Sequence, residues 1–275
     1  MLSSLQLQDI ADEIQAAQAE ARQVEPFSAR APGFDLDDAY AVAALVHAAR
    51  LARGECPVGR KLGFTNPDMW TLYGVRAPVW AWLYDGSVTQ LASQAGVCGL
   101  GRFAEARIEP EIVFRLRHTP PGEARSDLQA LLECVEWVAH GFEIVQSHFP
   151  GWRFQAPDAV VDQVLHGALL IGEPVPVSAL GPDPIAALRD FRLELFRNGE
   201  PAALGRGSHV LGSPLEALAH LLRLLDQRPL VPPLEAGEIV TTGTVTIAPP
   251  LQPGERWHTA LDGIALPGLR LDMGA

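Results

Sequence analysis

Basic residues are scarce in this chain. Its 275 residues include 21 Lys and Arg against 33 Asp and Glu, which leaves a formal net charge of -12 at pH 7. Sequence-independent binding to nucleic acid or to an anionic membrane surface needs a basic footprint that this composition does not supply. We therefore expect no nucleic-acid or membrane partner, and a small molecule as the ligand.

Cysteine is also rare, and Cys56, Cys98 and Cys134 are odd in number, far apart and without paired spacing. This pattern indicates neither a disulfide framework nor a thiolate metal site, and it suits a reducing compartment. A basic and apolar targeting segment is absent from the N-terminal stretch, and no apolar run reaches the roughly 20 residues of a membrane helix. The sequence predicts a cytoplasmic protein.

Two widespread enzyme motifs are missing. "GLGRFA" fits the glycine spacing of a dinucleotide-binding loop, but a strand-like segment follows it instead of the helix that would cradle phosphates. There is no G-x-S-x-G elbow, and "GRGSHVLG" does not replace one. A nicotinamide enzyme and a serine hydrolase are therefore disfavoured.

Helical periodicity is concentrated near the N-terminus. Residues 5–22 and 36–53 predict two helices, and from about residue 60 onward Gly and Pro punctuate short β-branched and aromatic runs. The predicted fold class is α+β with mixed sheets. We expect a small helical N-terminal part, residues 1–70, and a larger β-rich catalytic domain, residues 71–275.

Another helix is predicted from a capping box at Ser126 and Gln129. Its apolar stripe continues through Val138 and ends at Gly141.

The C-terminal half contains two more local signals. Ser213 and Glu216 predict the start of a helix. Asn198 and Gly199 predict the turn of a β-hairpin.

The stretch "RIEPEIVF" carries two glutamates one residue apart. Side chains alternate along a strand, so Glu109 and Glu111 share one face. Pro110 cannot donate to a ladder, which predicts a sheet edge, a bulge or the mouth of a cleft. The alternation alone leaves open both a solvated strand face and a functional carboxylate pair.

A third carboxylate, Glu143, lies among apolar residues in "GFEIVQS". Burying an unpaired carboxylate is costly, so Glu143 requires a cation, a proton or several donors. If three carboxylates converged from two strands, they would form an all-oxygen site suited to Mg²⁺ or Mn²⁺ rather than Zn²⁺. The residues alone do not show that the three converge.

Seven segments follow one another in a characteristic order: "PFSARAPGFDLDDAYAVAALVHAARLARGECPVGRKLGFTN", "GVRAP", "RIEPEIVF", "FEIVQS", "VVDQVLHGALLIG", "VLGSPLEALAHLL" and "TTGTVTIAPPLQPGE". In these the chain resembles the fumarylacetoacetate hydrolase superfamily. It is most similar to the branch of 2-hydroxypenta-2,4-dienoate (2-keto-4-pentenoate) hydratases and 4-oxalocrotonate decarboxylases. The resemblance runs from about residue 25 to the C-terminus, and its most specific element is the E-x-E with a distant third Glu after K-x-G-x-T.

The resemblance implies a divalent cation, Mg²⁺ or Mn²⁺, held by Glu109, Glu111 and Glu143. It also implies that Lys61 faces the acidic end of the substrate. Read from the residues alone, Lys61 sits between glycines in an apolar segment, and an ordinary exposed lysine remains an alternative.

Four small residues are implied to bind substrate. Thr65 belongs to the K-x-G-x-T segment, and Thr242, Gly243 and Thr244 match a turn whose amides and hydroxyls can hold a carboxylate. A Thr-rich strand without a ligand role is the alternative for the last three.

Departures from the family pattern occur at two places. Val79 stands where many of the hydratases carry an acidic residue, so it cannot activate water, and "MWTLYGVRAPVWAWLY" predicts a pocket walled by bulky aromatics. Where the family usually has D-N-x-S-S, this chain has "DQVLHG". Gln163 stands in place of the Asn, and Leu165 and His166 stand in place of the two serines. We place Val79 and Gln163 in the substrate site. Asp162 is a candidate to orient a neighbour or a water, and His166 is either an acid–base group or a core histidine.

The resemblance implies a metal-dependent lyase acting on a 2-hydroxyalka-2,4-dienoate or 2-oxoalkenoate, with Lys61, Asp162 and His166 as catalytic residues. Hydration to a 4-hydroxy-2-oxo acid in aromatic catabolism is the primary expectation. Decarboxylation of the 4-oxalocrotonate type, C–C bond hydrolysis and an inactive oligomeric binding protein are the alternatives. Retention of all three Glu favours catalysis, because converging carboxylates without a metal repel one another. The resemblance also implies a homo-oligomer.

Overall fold

The computed structural model of the chain describes residues 2–67, 70–73 and 75–275. The helices are α1 (Ser4–Glu20), α2 (Phe27–Arg30), α3 (Leu36–Ala52), α4 (Trp70–Tyr73), α5 (Leu128–Glu133), α6 (Ala156–Val161), α7 (Pro184–Asp190) and α8 (Pro214–Asp226). The strands are β1 (Pro57–Gly63), β2 (Val79–Tyr84), β3 (Val88–Gln90), β4 (Ala95–Gly99), β5 (Arg107–Leu116), β6 (Val135–Val145), β7 (His166–Ile171), β8 (Val175–Pro176), β9 (Arg192–Arg197), β10 (Glu200–Arg206), β11 (Ile239–Thr244), β12 (Arg256–Asp262) and β13 (Arg270–Gly274). Among the described residues, no helix combines the length and the apolarity that a bilayer crossing requires.

The two N-terminal helices form where the sequence predicts them. Ser3 caps α1 and Asp35 caps α3, each accepting hydrogen bonds from backbone amides of the first turn. Ile14 of α1 and Val42 of α3 are fully buried in a cluster that also takes in α6. The helical layer is therefore held by an apolar stripe on each long helix.

Two mixed sheets make up the rest of the protein. The larger has the order β2-β1-β11-β5-β6-β7-β3, with β8 paired to β6, and the smaller has the order β10-β9-β12-β13-β4. Neighbours are antiparallel except β1/β11, β3/β7 and β4/β13. The α+β class with mixed sheets is confirmed. The division near residue 70 stays a prediction, and β1, which precedes it, is hydrogen-bonded into the larger sheet.

The main core lies on one face of the larger sheet. Ile112 and Phe114 of β5 are buried in a cluster that includes α8 and Trp257 of the smaller sheet. Since side chains alternate, Glu109 and Glu111 project from the opposite face. The carboxylates are therefore separated from the main core by the sheet itself.

Pro110 lies in an interior strand, so the expectation of a sheet edge is wrong. β5 pairs with β6 on one side and β11 on the other. The Pro110 carbonyl accepts from the Val245 amide, on the side where the β5/β11 register slips between Thr241 and Thr244. The expectation of a bulge is confirmed, because this irregularity accommodates a residue that cannot donate.

The helix predicted to run from Ser126 to Gly141 is mostly wrong. α5 ends at Glu133, and Val135 to Val145 form β6. Asp127, not Ser126, caps α5 by accepting from two backbone amides. β6 is buried on both faces and pairs with β5 along its length, so it lacks the alternation that identifies a strand in sequence.

The two C-terminal signals are confirmed. The Ser213 side chain accepts from the Glu216 amide at the start of α8. Asn198 and Gly199 both have positive φ and join β9 to β10, as a two-residue hairpin turn requires.

Gly59 of β1 occupies a position where no side chain fits. A Cβ there would lie 1.9 Å from the backbone oxygen of Ile239 in β11. Gly59→Ala should therefore push the strands apart and lower the free energy of unfolding by about 2–3 kcal/mol, measured by urea denaturation. In the control, Gly86→Ala, the new Cβ meets nothing within 4 Å, and the change should stay below about 0.5 kcal/mol. Equal effects of the two substitutions would contradict this account.

Candidate active site

Two adjacent strands bring the three glutamates together. In the β5/β6 register Glu109 lies opposite Glu143, and Glu111 lies opposite Gly141. Each carboxylate offers an oxygen within 4.8 Å of the other two. The convergence that the sequence could not establish is therefore present.

Glu143 is the most strongly partnered carboxylate of the three. Its Oε1 lies 2.6 Å from Lys61 Nζ and 2.7 Å from His166 Nδ1. Both the glutamate and the lysine are almost completely buried. Burial alone would raise the pKa of Glu143, but Lys61 and His166 outweigh burial and hold this pKa at about 2.

Glu111 is held by a backbone amide. The Gly243 N–H donates to Glu111 Oε2 at 2.8 Å. Gly243 has a φ of 94°, and a Cβ at this position would lie 1.8 Å from Thr65 Oγ1. Only glycine can therefore bring its amide to Glu111 at this position, which lies within the bulge of β11.

Keeping the other two carboxylates, Glu109 and Glu111, ionised is unfavourable. Burial raises the pKa of Glu109 to about 7, with Lys61 opposing this and Glu143 adding to it. Burial together with Glu143 and Glu109 raises the pKa of Glu111 well above its usual range. Burial would lower the pKa of Lys61, but the three carboxylates outweigh it and raise this pKa.

The residues present fit a divalent cation. Glu111 Oε1 and Glu143 Oε2 are buried with no hydrogen-bond partner among the described residues. Three carboxylates and one ammonium leave a formal charge of -2, which one divalent cation neutralises. An all-oxygen donor set suits Mg²⁺, Mn²⁺ or Ca²⁺.

A pocket opens beside this cluster, lined by the charged Lys61 and Glu109, by several apolar side chains and by four further polar residues. The lining residues described are Lys61, Leu62, Gly63, Phe64, Thr65, Asn66, Glu109, Val145, Trp152, Val164, Leu165, Gly243, Thr244, Thr246 and Ala248. Thr65 is buried, and its Oγ1 has no hydrogen-bond partner among the described residues. An acid bound here would therefore meet both charged and apolar side chains.

Some predicted substrate residues line this pocket and others do not. Thr65, Gly243 and Thr244 line it. Thr242 is buried, and its hydroxyl donates to the Ile112 carbonyl at 3.1 Å. Val79 is buried opposite Gly63 in the β1/β2 pair and is not part of the lining.

Asp162 and Gln163 are directed toward the N-terminal helices. Asp162 Oδ1 lies 2.7 Å from His148 Nδ1 and accepts from Gln18. Gln163 Oε1 accepts from Arg50 Nη2 at 2.7 Å. Neither side chain has a hydrogen bond to the carboxylate cluster in the part of the chain that is described.

His166 lies between the carboxylate cluster and Ser87. Its Nδ1 contacts Glu143, and its Nε2 lies 2.9 Å from Ser87 Oγ. Burial lowers its pKa, although the hydrogen bond to Glu143 opposes this. His166 is buried like a core histidine, but it is bonded directly to a carboxylate of the candidate metal site.

The aromatic wall of the pocket differs from the one predicted. Phe64 and Trp152 line the pocket, whereas Trp80 and Trp82 line a separate cavity together with Tyr40. Met69 and Gly74 of the predicted stretch lie outside the described residues. Sequence reasoning missed Trp152, because its wall position follows from the loop after β6 and not from any local pattern.

A family of known proteins matches the central and C-terminal part of the chain. The family described as fumarylacetoacetate (FAA) hydrolase C-terminal matches residues 80–266. A 2-hydroxyhexa-2,4-dienoate hydratase from Comamonas testosteroni is 30% identical over 247 residues, which cover 89% of each chain. A 2-keto-4-pentenoate hydratase from Paraburkholderia xenovorans is 29% identical, covering 94% of this chain and 92% of the relative.

Decarboxylases are also similar to this chain. A 4-oxalocrotonate decarboxylase from a Pseudomonas species is 30% identical over 210 residues, which cover 76% of this chain and 77% of the relative. The structure of 4-oxalocrotonate decarboxylase from Pseudomonas putida G7 with magnesium and adipate superimposes with a TM-score of 0.88 at 24% identity, covering 99% of each chain. This structural likeness establishes the fold.

The repulsion among the ionised carboxylates of the cluster predicts how much a bound metal ion raises the Tm at different pH values. Because the pKa of Glu109 rises from 4.5 to about 7 on folding, its contribution to stability is complete below pH 4.5 and is lost as pH rises through 7. Glu111 acts in the same direction. A divalent cation relieves the repulsion, so Mg²⁺ should raise the Tm more at pH 8 than at pH 6 in a thermal melt.

The control for this melt is Glu136→Gln, which removes an exposed carboxylate of the same sheet and should keep the Mg²⁺ effect. Glu109→Gln should abolish it. Equal Tm shifts at both pH values, or a shift that persists in Glu109→Gln, would contradict the metal site.

The contact with Glu143 predicts a role for His166 in metal affinity. Removing the imidazole leaves Glu143 with Lys61 as its remaining partner, so His166→Ala should weaken Mn²⁺ binding by about 10- to 100-fold, measured by electron paramagnetic resonance. Ser87→Ala, which removes the hydroxyl at the far side of the same ring, should have a smaller effect. An unchanged Mn²⁺ affinity with a lower Tm would assign His166 to the core alone.

Proposed function

The chain belongs to the fumarylacetoacetate (FAA) hydrolase family, and on this premise we propose that it is a divalent-metal-dependent lyase that hydrates a 2-hydroxyalka-2,4-dienoate to a 4-hydroxy-2-oxo acid. One observation carries the proposal: Glu109, Glu111 and Glu143 converge with Lys61 beside a pocket that Glu109 and Lys61 line and whose other lining residues are mostly apolar. The hydratase relatives support the same reaction class.

The three glutamates would hold the cation. Bound there, the cation supplies a Lewis acid that stabilises the negative charge developing on the C2 oxygen of a 2-oxo acid. Thr65 supports recognition of the acid, because its hydroxyl is buried at the pocket without a partner among the described residues.

Lys61 acts in this proposal as a fixed positive charge. Its pKa is raised, because the three carboxylates outweigh the effect of burial, so it keeps its proton at neutral pH. It lines the pocket and donates to Glu143. It therefore anchors Glu143 and attracts the acidic end of the substrate.

Addition of water to the double bond needs a group that orients the water. Val79 cannot do this, since it is an alkyl side chain packed away from the pocket lining. Glu109 is the member of the cluster that lines the pocket and stays partly exposed. We assign it the positioning of the attacking water.

The charge of the pocket favours hydration over decarboxylation. A 4-oxalocrotonate-type substrate carries a second carboxylate at its far end. Among the described lining residues, Lys61 is the single cationic side chain, and it is already paired with Glu143. A monocarboxylic dienoate therefore fits this lining better.

Mg²⁺ or Mn²⁺ is the ion that we propose, together with a cytoplasmic location and a homo-oligomeric state. Solved relatives are described with magnesium, with calcium and with manganese. All three are hard cations, which the all-oxygen donor set of this chain would suit.

The proposal is tested by giving the purified protein Mg²⁺ or Mn²⁺ and 2-hydroxypenta-2,4-dienoate, and following loss of the dienol absorbance. We expect turnover that a chelator abolishes. Glu109→Gln should reduce the turnover by at least about 1000-fold, because the cation would lose a ligand and the attacking water would lose the group that positions it. Glu136→Gln should match the wild type.

4-Oxalocrotonate in a parallel assay, with release of CO₂ as the measurement, separates the two reactions. If CO₂ release is faster than dienoate hydration, the assigned reaction changes from hydration to decarboxylation. Turnover that is indifferent to chelator and to Glu109→Gln would refute the metal-dependent mechanism.

A further inference from the structure

The segment after Asp162 adopts a backbone conformation that its residues disfavour. Gln163, Val164 and Leu165 have φ angles of 51°, 52° and 64°, and the Leu165 amide donates to the Asp162 carbonyl at 2.8 Å to close the turn. Glycine and asparagine adopt this left-handed region readily, whereas a β-branched residue such as Val164 is a clear outlier there. Such a conformation persists only where surrounding contacts impose it.

The left-handed turn, residues 163–165, forms part of the pocket wall. Val164 and Leu165 both line the pocket. Val164 also packs closely on β1, since a Cβ at Gly63 would lie 2.2 Å from Val164 Cγ1. The turn thus presents two aliphatic side chains to the pocket, and Val164 lies against β1, the strand that also carries Lys61.

Asp162 and His148 tie the turn to the strand that carries Glu143. Both oxygens of Asp162 lie within 2.9 Å of His148 Nδ1, and Oδ2 also accepts from the His148 amide at 3.2 Å. His148 and Asp162 are 0% and 1% exposed. Just after β6, the Gln146 amide donates to the Leu165 carbonyl at 2.9 Å, which adds a second tie.

The contacts of Asp162 are inconsistent with a direct role at the substrate. Its Oδ1 also accepts from Gln18 of α1, so both carboxylate oxygens are used in holding protein groups. Neither Asp162 nor His148 lines the pocket. What these two residues control is the position of the backbone that follows Asp162.

We propose that Asp162 and His148 are positioning residues that hold the left-handed turn as the wall against the substrate's carbon tail, and that this wall selects an uncharged alkyl tail. The inference rests on the proposed function in so far as a 2-oxo acid is the ligand. When the acid group lies at Lys61 and at the cation that the glutamates would hold, the carbon tail of the acid would meet the apolar part of the lining. There Val164 and Leu165, with Phe64 and Trp152, form a surface for hydrocarbon.

The test compares Asp162→Asn with Asp158→Asn. Asp158 is an equally buried carboxylate one helical turn earlier, and it accepts from Ser28 and Gln155 at the start of α6 without touching the left-handed turn. Both substitutions should lower the Tm. Only Asp162→Asn should raise KM for the dienoate, by about tenfold, while kcat stays within about threefold and Mn²⁺ affinity is unchanged.

A binding measurement keeps this test independent of the reaction. In the presence of Mg²⁺, the affinities of 2-oxopentanoate and pyruvate are measured by calorimetry. The wild type should prefer the longer acid, because its tail contacts the turn, and Asp162→Asn should reduce this preference by about tenfold or abolish it. If no dienoate is turned over but the loss of preference is seen, the proposed function falls and this inference stands.

Val164→Ala provides a second variant that leaves the buried pair intact. Trimming the wall should reduce the preference for 2-oxopentanoate in the same direction, and His148→Asn should act like Asp162→Asn. An unchanged preference in Val164→Ala would overturn the inference. A fall in kcat of Asp162→Asn at unchanged KM would also overturn it, because that result assigns Asp162 to the chemistry.

Discussion

The buried contact between Lys61 and Glu143 is the interaction on which the site depends. Three carboxylates within 4.8 Å of one another cannot all be ionised in a dry environment unless positive charge is close by. Lys61 supplies one such charge, and a divalent cation would supply the rest. Glu143 is kept ionised by Lys61 and His166, so it provides a permanently charged oxygen around which the other two glutamates can be arranged.

Backbone irregularities on either side of this contact give the site its shape. The register shift in β11 lies beside Pro110, which has no amide to donate, and it lets Gly243 donate to Glu111. The left-handed turn puts Val164 against Gly63 and closes the pocket on the other side. Regular strands supply the carboxylates and part of the pocket lining, and the irregular segments between them supply the rest of the lining. This division explains why the departures from ideal geometry cluster near the site.

Local sequence signals predicted the elements that depend on local interactions. α8 begins where Ser213 caps it, and the hairpin turns at Asn198, because capping and turn formation involve residues a few positions apart. The part of β6 before Gly141 is predicted as helix from sequence, since its apolar residues are buried on both faces and show no alternation. Pairing with β5 decides its structure, and this contact joins residues distant in sequence.

The sequence by itself supplied the candidate ligands: the E-x-E puts Glu109 and Glu111 on one strand face, and Glu143 in an apolar run needs a cation, a proton or several donors, because an isolated buried carboxylate is costly. That the three act together was implied by the family resemblance alone. Only the tertiary structure decided which other residues meet them. Asp162, a catalytic candidate by motif, is paired with His148, whereas His166, a plausible core histidine, contacts Glu143. Motif spacing specifies chemistry along the chain, but the direction in which a side chain points depends on strand register and on the turns between strands, which long-range packing sets.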